Sequence, residues 1–262
     1  MSKPLIVIIL AAGMGKRMRS ELPKVLHKVT GFPMLFYPIQ IAKKLNPHKI
    51  IVVVGYGKEK VEKWLEGENI FLAYQKEQLG TGHAVLCTRD LWHSFEGDIL
   101  ILYGDVPLLT FSTVENLISS HIKFNATLSI LTANLRNPYG YGRIVRDNNG
   151  EIEKIVEEKE ADNSQKGIKE INSGIYCINA PFLFSSITSL KKENTQGEFY
   201  LTDIVEIARK NKKKVIGVLT SYPIEITGVN NRIELSFVNR VKQRMILEEL
   251  MLNGVTIVDP SN

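Results

Sequence analysis

Leu5-Ile6-Val7-Ile8-Ile9-Leu10-Ala11-Ala12-Gly13-Met14-Gly15-Lys16-Arg17-Met18 runs from an unbroken apolar stretch through small residues and glycines into two adjacent cations. The apolar part is strand-sized and lacks polar alternation, as a strand buried on both faces of a parallel sheet does. Small side chains at its end let backbone N–H groups approach an anion closely, and glycine reaches the positive φ that such a cradle needs. Arg17 offers a planar fork for phosphate oxygens. In Leu22-Pro23-Lys24 a lysine follows a rigid proline, suited to neutralise a departing phosphate. The turn is neither of two common phosphate loops. Met18 stands where a dinucleotide fingerprint has its third glycine, and the Gly-Lys-Ser/Thr ending of a P-loop is missing. Taken alone, such a turn also describes an ordinary strand-to-helix connection.

Outward from this turn the same alternation continues. Strand-like runs at Ile50–Val54, Ile70–Tyr74 and Ile99–Tyr103 are separated by helix-like stretches at Pro33–Leu45, Lys58–Glu66 and Gly82–Trp92. This predicts an α/β fold with a Rossmann-like doubly wound sheet, which binds ligands at the carboxyl ends of its strands. After Thr110 the pattern loosens. Thr127–Ala133, Arg143–Arg146, Ile152–Val156 and Glu170–Ile178 read as strands with turn residues between them, a mixed extension forming a second, smaller lobe. Helices are expected at Phe199–Lys210 and Arg232–Leu252; the second is capped by Asn230 or Asn231 and followed by Gly254. No internal repeat breaks the chain, so one continuous domain with two lobes is expected.

The totals narrow the class. The chain has 262 residues, 44% hydrophobic and 23% charged, an ordinary globular composition. No apolar run reaches the roughly 18 residues of a membrane span, and no signal-peptide pattern follows Leu5–Ala12, so a cytoplasmic protein without membrane contact is expected. Cys87 and Cys177 are far apart without a metal-binding spacing, and read as small apolar fillers. Net charge is +5 with a pI near 9.0, which suits an anionic small substrate. The basic run Arg209–Lys214 lacks the interleaved aromatics of a base-stacking platform and reads as a helix end, so no nucleic-acid partner is expected.

Several blocks follow the first turn in order: Gln78-Leu79-Gly80-Thr81-Gly82-His83-Ala84, Tyr103-Gly104-Asp105-Val106-Pro107-Leu108 and Gly140-Tyr141-Gly142-Arg143-Ile144. Ile171-Asn172-Ser173-Gly174-Ile175, Gln196-Gly197-Glu198-Phe199-Tyr200-Leu201-Thr202-Asp203 and Gly228-Val229-Asn230-Asn231-Arg232 continue the series. Together with the glycine turn these resemble the sugar-nucleotide pyrophosphorylase family. Within it they resemble the uridylyltransferase half of the bacterial bifunctional N-acetylglucosamine-1-phosphate uridyltransferase/glucosamine-1-phosphate acetyltransferases. The likeness spans nearly the whole chain. It implies the nucleotide-diphospho-sugar transferase fold with a sugar-binding lobe, organised as residues 1–229 for nucleotidyl transfer and 230–252 for a C-terminal helix. Residues 253–262 resemble the opening phrase of a hexapeptide-repeat β-helix that is otherwise absent.

What the resemblance implies can be stated residue by residue. Arg17 and Lys24 are catalytic; Leu10, Ala11, Ala12, Gly13, Lys24, Gln75, Gly80 and Thr81 bind the nucleotide. Tyr103, Gly104, Gly142, Glu157, Asn172 and Asn230 contact the sugar substrate, with Tyr200 and Thr202 further candidates. Asp105 and the Asn230 amide hold Mg²⁺, a hard cation that prefers oxygen donors. The substrates implied are UTP and N-acetylglucosamine 1-phosphate. Glucose 1-phosphate or CTP would serve a related enzyme, and a catalytically silent nucleotide-binding module belongs to a different class. Two departures stand out. Lys16 occupies a position where the family usually has Thr, and the missing repeats lead to the expectation that acetyl transfer is absent and the trimer lacks its basis. From the residues themselves, Glu158 is expected to face away from Glu157 if the strand continues. His83 is expected to fix the start of its helix rather than act as a base, because the attacking group is already a phosphate anion.

Overall fold

Leu5–Leu10 forms β1, with Ile6 to Ile9 fully buried, and each such side chain contributes roughly 1.5–3 kcal/mol by leaving water. In the computed structural model, which describes residues 3–260, it lies inside a large mixed sheet. Met1, Ser2, Ser261 and Asn262, and with them the outer ends of segments 1–229 and 253–262, fall outside the described residues. The order of elements is β1, β2 (Lys28–Val29), β3 (Phe32–Pro33), α1 (Phe36–Lys44), β4 (Lys49–Val54), α2 (Lys58–Leu65) and β5 (Phe71–Tyr74). Next come α3 (Thr81–Leu86), β6 (Asp98–Tyr103), α4 (Phe111–Lys123), β7 (Leu128–Asn134), β8 (Arg143–Arg146) and β9 (Ile152–Val156). The chain ends with α5 (Asn163–Lys166), β10 (Glu170–Asn179), α6 (Ala180–Ser186), α7 (Ile204–Lys210), β11 (Val215–Leu219) and α8 (Arg232–Leu252).

The main sheet is ordered β11-β7-β10-β6-β1-β4-β5. β1 pairs in parallel with both β4 and β6, while β10 runs antiparallel between β6 and β7. The chain builds outward from β1 through β4 and β5, then returns to add β6 on the other side. The crevice beside β1 is therefore the switch point where such sheets take ligands. One face of the sheet buries Ile6, Ile8 and Ile101 beneath α3, α6 and α7; the other buries Val7, Ile9 and Leu102 beneath α1, α2 and α4.

Several boundaries differ from the sequence reading, each for a local reason. Phe32–Pro33 pairs with Lys28–Val29 instead of starting a helix, because Thr30 (φ 45°) and Gly31 (φ 91°) form a two-residue turn with both φ positive. The helix expected over Gly82–Trp92 stops at Leu86. There Thr88 Oγ1 donates to the Val85 carbonyl at 2.7 Å and accepts from Trp92 Nε1 at 2.8 Å, and a 3₁₀ turn follows. The helix expected from Phe199 starts only at Ile204, since Phe199 is held extended by Leu79 and Gly82. The mixed extension expected after Thr110 is present: the strands expected at 127–133 and 170–178 are β7 and β10, which continue the main sheet, and the β8–β9 hairpin projects from β10. α8 occupies the expected Arg232–Leu252 span, and Asn231 caps it through the N–H groups of Ile233 and Glu234. It packs Val238 against Val29, Met34, Leu108 and Val229.

Candidate active site

The carboxyl ends of β1, β5 and β6 meet at a cleft of about 240 Å³. Its lining includes Leu10, Ala11, Ala12, Gly13, Lys24, Gln75, Gly80, Thr81, Tyr103 and Asp105, so all the residues expected at the nucleotide share one cavity. Gly15 takes φ +60°, and a Cβ there would lie 2.7 Å from Lys24 Cβ, so the missing side chain lets the lysine stem lie against the turn. The N–H groups of Gly13, Met14 and Gly15 meet no main-chain acceptor among the described residues, leaving donors for an anion. Arg232, at the start of α8, donates from Nε to the Met18 carbonyl at 3.2 Å and holds the far end of the turn.

Gln75 is almost fully buried at the end of β5. Its Nε2 donates to the Gly80 carbonyl at 2.9 Å and lies 3.3 Å from His83 Nδ1. His83 lies beside the Gln75 amide that holds the Gly80 carbonyl at the start of α3, and it stacks on Phe199. Gly80 has φ +100°, and a Cβ would sit 2.6 Å from the Phe199 carbonyl, so only glycine lets this loop close. The support by His83 and Phe199 carried no pattern in the sequence, because the packing of segment 79–82 on Phe199 spans more than a hundred residues.

At the tip of β6, Lys24 Nζ donates to Asp105 Oδ2 and, at 3.3 Å, to Asn230 Oδ1. The Val229 N–H donates to the Asp105 carbonyl at 2.9 Å, and the Asn230 N–H donates to Glu234 Oε2 at 2.6 Å, so main chain as well as side chains fixes this junction. The two oxygens expected to hold a metal thus converge on one cation. Hard oxygen donors gathered around one positive charge match the coordination chemistry of Mg²⁺. Arg17 stands apart, exposed on the 3₁₀ turn Lys16–Met18 and outside the cleft lining.

Of the expected sugar-side residues, Gly142 and Thr202 lie against Glu157, whereas Asn230 meets Lys24 and Gly104 meets Leu10. Thr202 Oγ1 donates to Glu157 Oε1 at 3.1 Å, and a Cβ on Gly142 would lie 3.5 Å from Glu157 Oε2. Burial raises the Glu157 carboxyl above its ordinary range, helped by the charges of Asp203, Glu160 and Glu198. Although β9 ends at Val156, Glu158 does face the other way, forming a 2.7 Å ion pair with the buried Arg143. Asn172 is nearly buried and already engaged: its Nδ2 donates to the Tyr176 hydroxyl at 2.7 Å, and its Oδ1 accepts from the Gly174 N–H at 2.9 Å. Tyr103 packs against Gly174, and burial pushes its phenol well above the ordinary tyrosine range. Gly104 donates to the Leu10 carbonyl at 2.9 Å, and Tyr200 accepts from Gln196 Nε2 at 2.6 Å.

The acidic character of this end has a measurable consequence. Burial, then the charges of Glu206 and Glu160, push the Asp203 carboxyl from 3.8 up to about 6. A carboxyl that holds its proton more tightly when folded makes the fold lose stability as pH rises through that window. Asp203 is partly exposed, so the effect is discounted to about 1 kcal/mol. Asp203→Asn is expected to raise the melting temperature at pH 7.5 by roughly 2–4 °C, with the gain fading towards pH 4 in calorimetric scans.

The family described as nucleotidyl transferase matches residues 6–222. "Bifunctional protein GlmU" of Caldanaerobacter subterraneus subsp. tengcongensis is 46% identical over 98% of this chain and 56% of its own length. The protein of the same description from Geotalea daltonii is 44% identical over 97% of this chain, again 56% of its own length. The chain therefore spans little more than half the length of these relatives. Among solved structures, UDP-glucose pyrophosphorylase complexed with UDP-glucose superposes with a TM-score of 0.72 at 17% identity, covering 94% of this chain and 100% of that one. That likeness shows a shared fold.

Proposed function

This chain belongs to the nucleotidyl transferase family, and on that premise we propose that it transfers UMP from UTP to N-acetylglucosamine 1-phosphate, giving UDP-N-acetylglucosamine and pyrophosphate. The observation that carries the reading is the meeting of Lys24, Asp105 and Asn230 beside a cleft that Lys24 and Asp105 line together with Gln75 and Gly80. In this reading the uracil lies against Gln75, Gly80 and Thr81, and the triphosphate runs along the free N–H groups of residues 13–15. The sugar faces Gly142, Glu157, Asn172 and Thr202, with Tyr103, Gly104, Asn230 and Tyr200 shaping that side.

An oxygen of the sugar 1-phosphate attacks the α-phosphorus of UTP in line. The P–O bond to the β-phosphate breaks, and the leaving pyrophosphate carries away the electron pair. The attacker is already an anion, so no general base is needed, and positioning with charge neutralisation supplies the catalysis. Lys24 orients the phosphates from within the cleft, and Arg17 receives the departing pyrophosphate from the exposed turn. Mg²⁺ held by Asp105 and the Asn230 amide oxygen would supply additional neutralisation of phosphate charge. The cytoplasm is the compartment we assign, a setting that two free cysteines suit.

A coupled pyrophosphate assay tests this. Release is expected only with UTP and N-acetylglucosamine 1-phosphate together, and a chelator should abolish it. Equal turnover with CTP or glucose 1-phosphate would overturn the substrate assignment, and no release with any pair would leave a silent nucleotide-binding module.

A further inference from the structure

We propose that the Lys24 ammonium is the resident cation of this site, and that a divalent ion enters only in exchange for it, accompanied by an anion that draws Lys24 away. The proposal rests on the reading of Asp105 and Asn230 as metal-holding residues. The lysine reaches both oxygens at once, donating to Asp105 Oδ2 and, at 3.3 Å, to Asn230 Oδ1. Two unlike oxygens, 125 positions apart in the chain, are thus already satisfied by one positive charge. Its side chain and that of Asp105 are only 14% and 15% exposed, so water competes weakly for either partner.

The lysine stem shows how the exchange works. Its Cβ is pinned beside Gly15, where any side chain would collide with it, and Lys24 also lines the cleft with Gly13. From that anchored base the flexible methylenes let the ammonium swing between the acidic tip of β6 and the free N–H groups of the glycine turn. An anion seated on the turn pulls the ammonium toward itself and exposes the two oxygens. A divalent ion arriving alone must displace a tethered charge without that help. Metal and nucleotide therefore bind as a coupled pair even though they touch different groups, and by linkage each favours the other to the same degree.

The test reads metal binding directly, without turnover. Free Mn²⁺ is followed by electron paramagnetic resonance during titration of the full chain in the absence of nucleotide. Lys24→Met is expected to tighten Mn²⁺ binding on the order of tenfold relative to wild type, and Lys24→Gln provides a polar replacement should the apolar one fold poorly. Arg17→Ala removes a positive charge of the glycine turn that lies outside the cleft lining, and its Mn²⁺ affinity should stay within about twofold of wild type. Asp105→Ala in the Lys24→Met background should abolish the gain. Unchanged or weaker Mn²⁺ binding in both Lys24 variants overturns the proposal. So does an equal gain in Arg17→Ala, which would make the effect one of general charge. Failure of the uridylyl-transfer reading would appear instead in the wild-type pyrophosphate assay, whatever the Mn²⁺ titration shows.

Discussion

Asp105→Ala is expected to slow pyrophosphate release by at least about 10²–10³-fold while the chain keeps its cooperative melting transition. The carboxylate stands at the tip of β6 facing Lys24, and removing it deprives the cleft of the anionic half of its charge pattern. The fold should survive, because the Val229 N–H is taken by the main-chain carbonyl of residue 105, which any side chain retains. Steady-state rates with saturating UTP, together with a thermal scan, check both halves. Turnover within a few-fold of wild type would remove the metal-holding role from Asp105.

Arg17→Ala is expected to cost a comparable factor, with a different signature. Arg17 is exposed and forms no ion pair among the described residues, so its loss should change stability by no more than about 0.5 kcal/mol. A charge poised for the leaving group acts mainly in the transition state, so kcat and kcat/KM should fall together while the KM for UTP moves little. A rise in KM at unchanged kcat would show instead that Arg17 only recruits the triphosphate.

Much of this site was legible before any coordinates. β1, β8 and β9 occupy their expected spans, because an unbroken apolar run marks the first and clear turn residues frame the other two. The residues expected at the nucleotide line one cleft because they sit at the ends of adjacent parallel strands, and strand ends can be counted along a chain. α4 was missed: Ser112, Thr113, Ser119 and Ser120 are weak helix formers, although Thr110 accepts the N–H of Thr113 as a regular cap. The split of 199–210 into an extended entry and a short helix was hidden as well, since it depends on Phe199 pairing with a loop 120 positions earlier. The Lys24–Asp105 contact lies beyond any local pattern, joining positions 81 apart.

The one strand that runs against the rest of the main sheet has a mechanical consequence. β10 begins beside the projecting hairpin, where Ile171 pairs with Arg143, and after a register shift between Asn172 and Tyr176 it runs between β6 and β7 deep in the molecule. The hairpin therefore hangs from a strand that is clamped from Tyr176 onward but broken in register just before that point, where Gly174 takes φ +82°. Any swing of the hairpin should then flex the chain at residues 172–176 and leave the rungs to β6 and β7 beyond Tyr176 intact, a hinge rather than a tear.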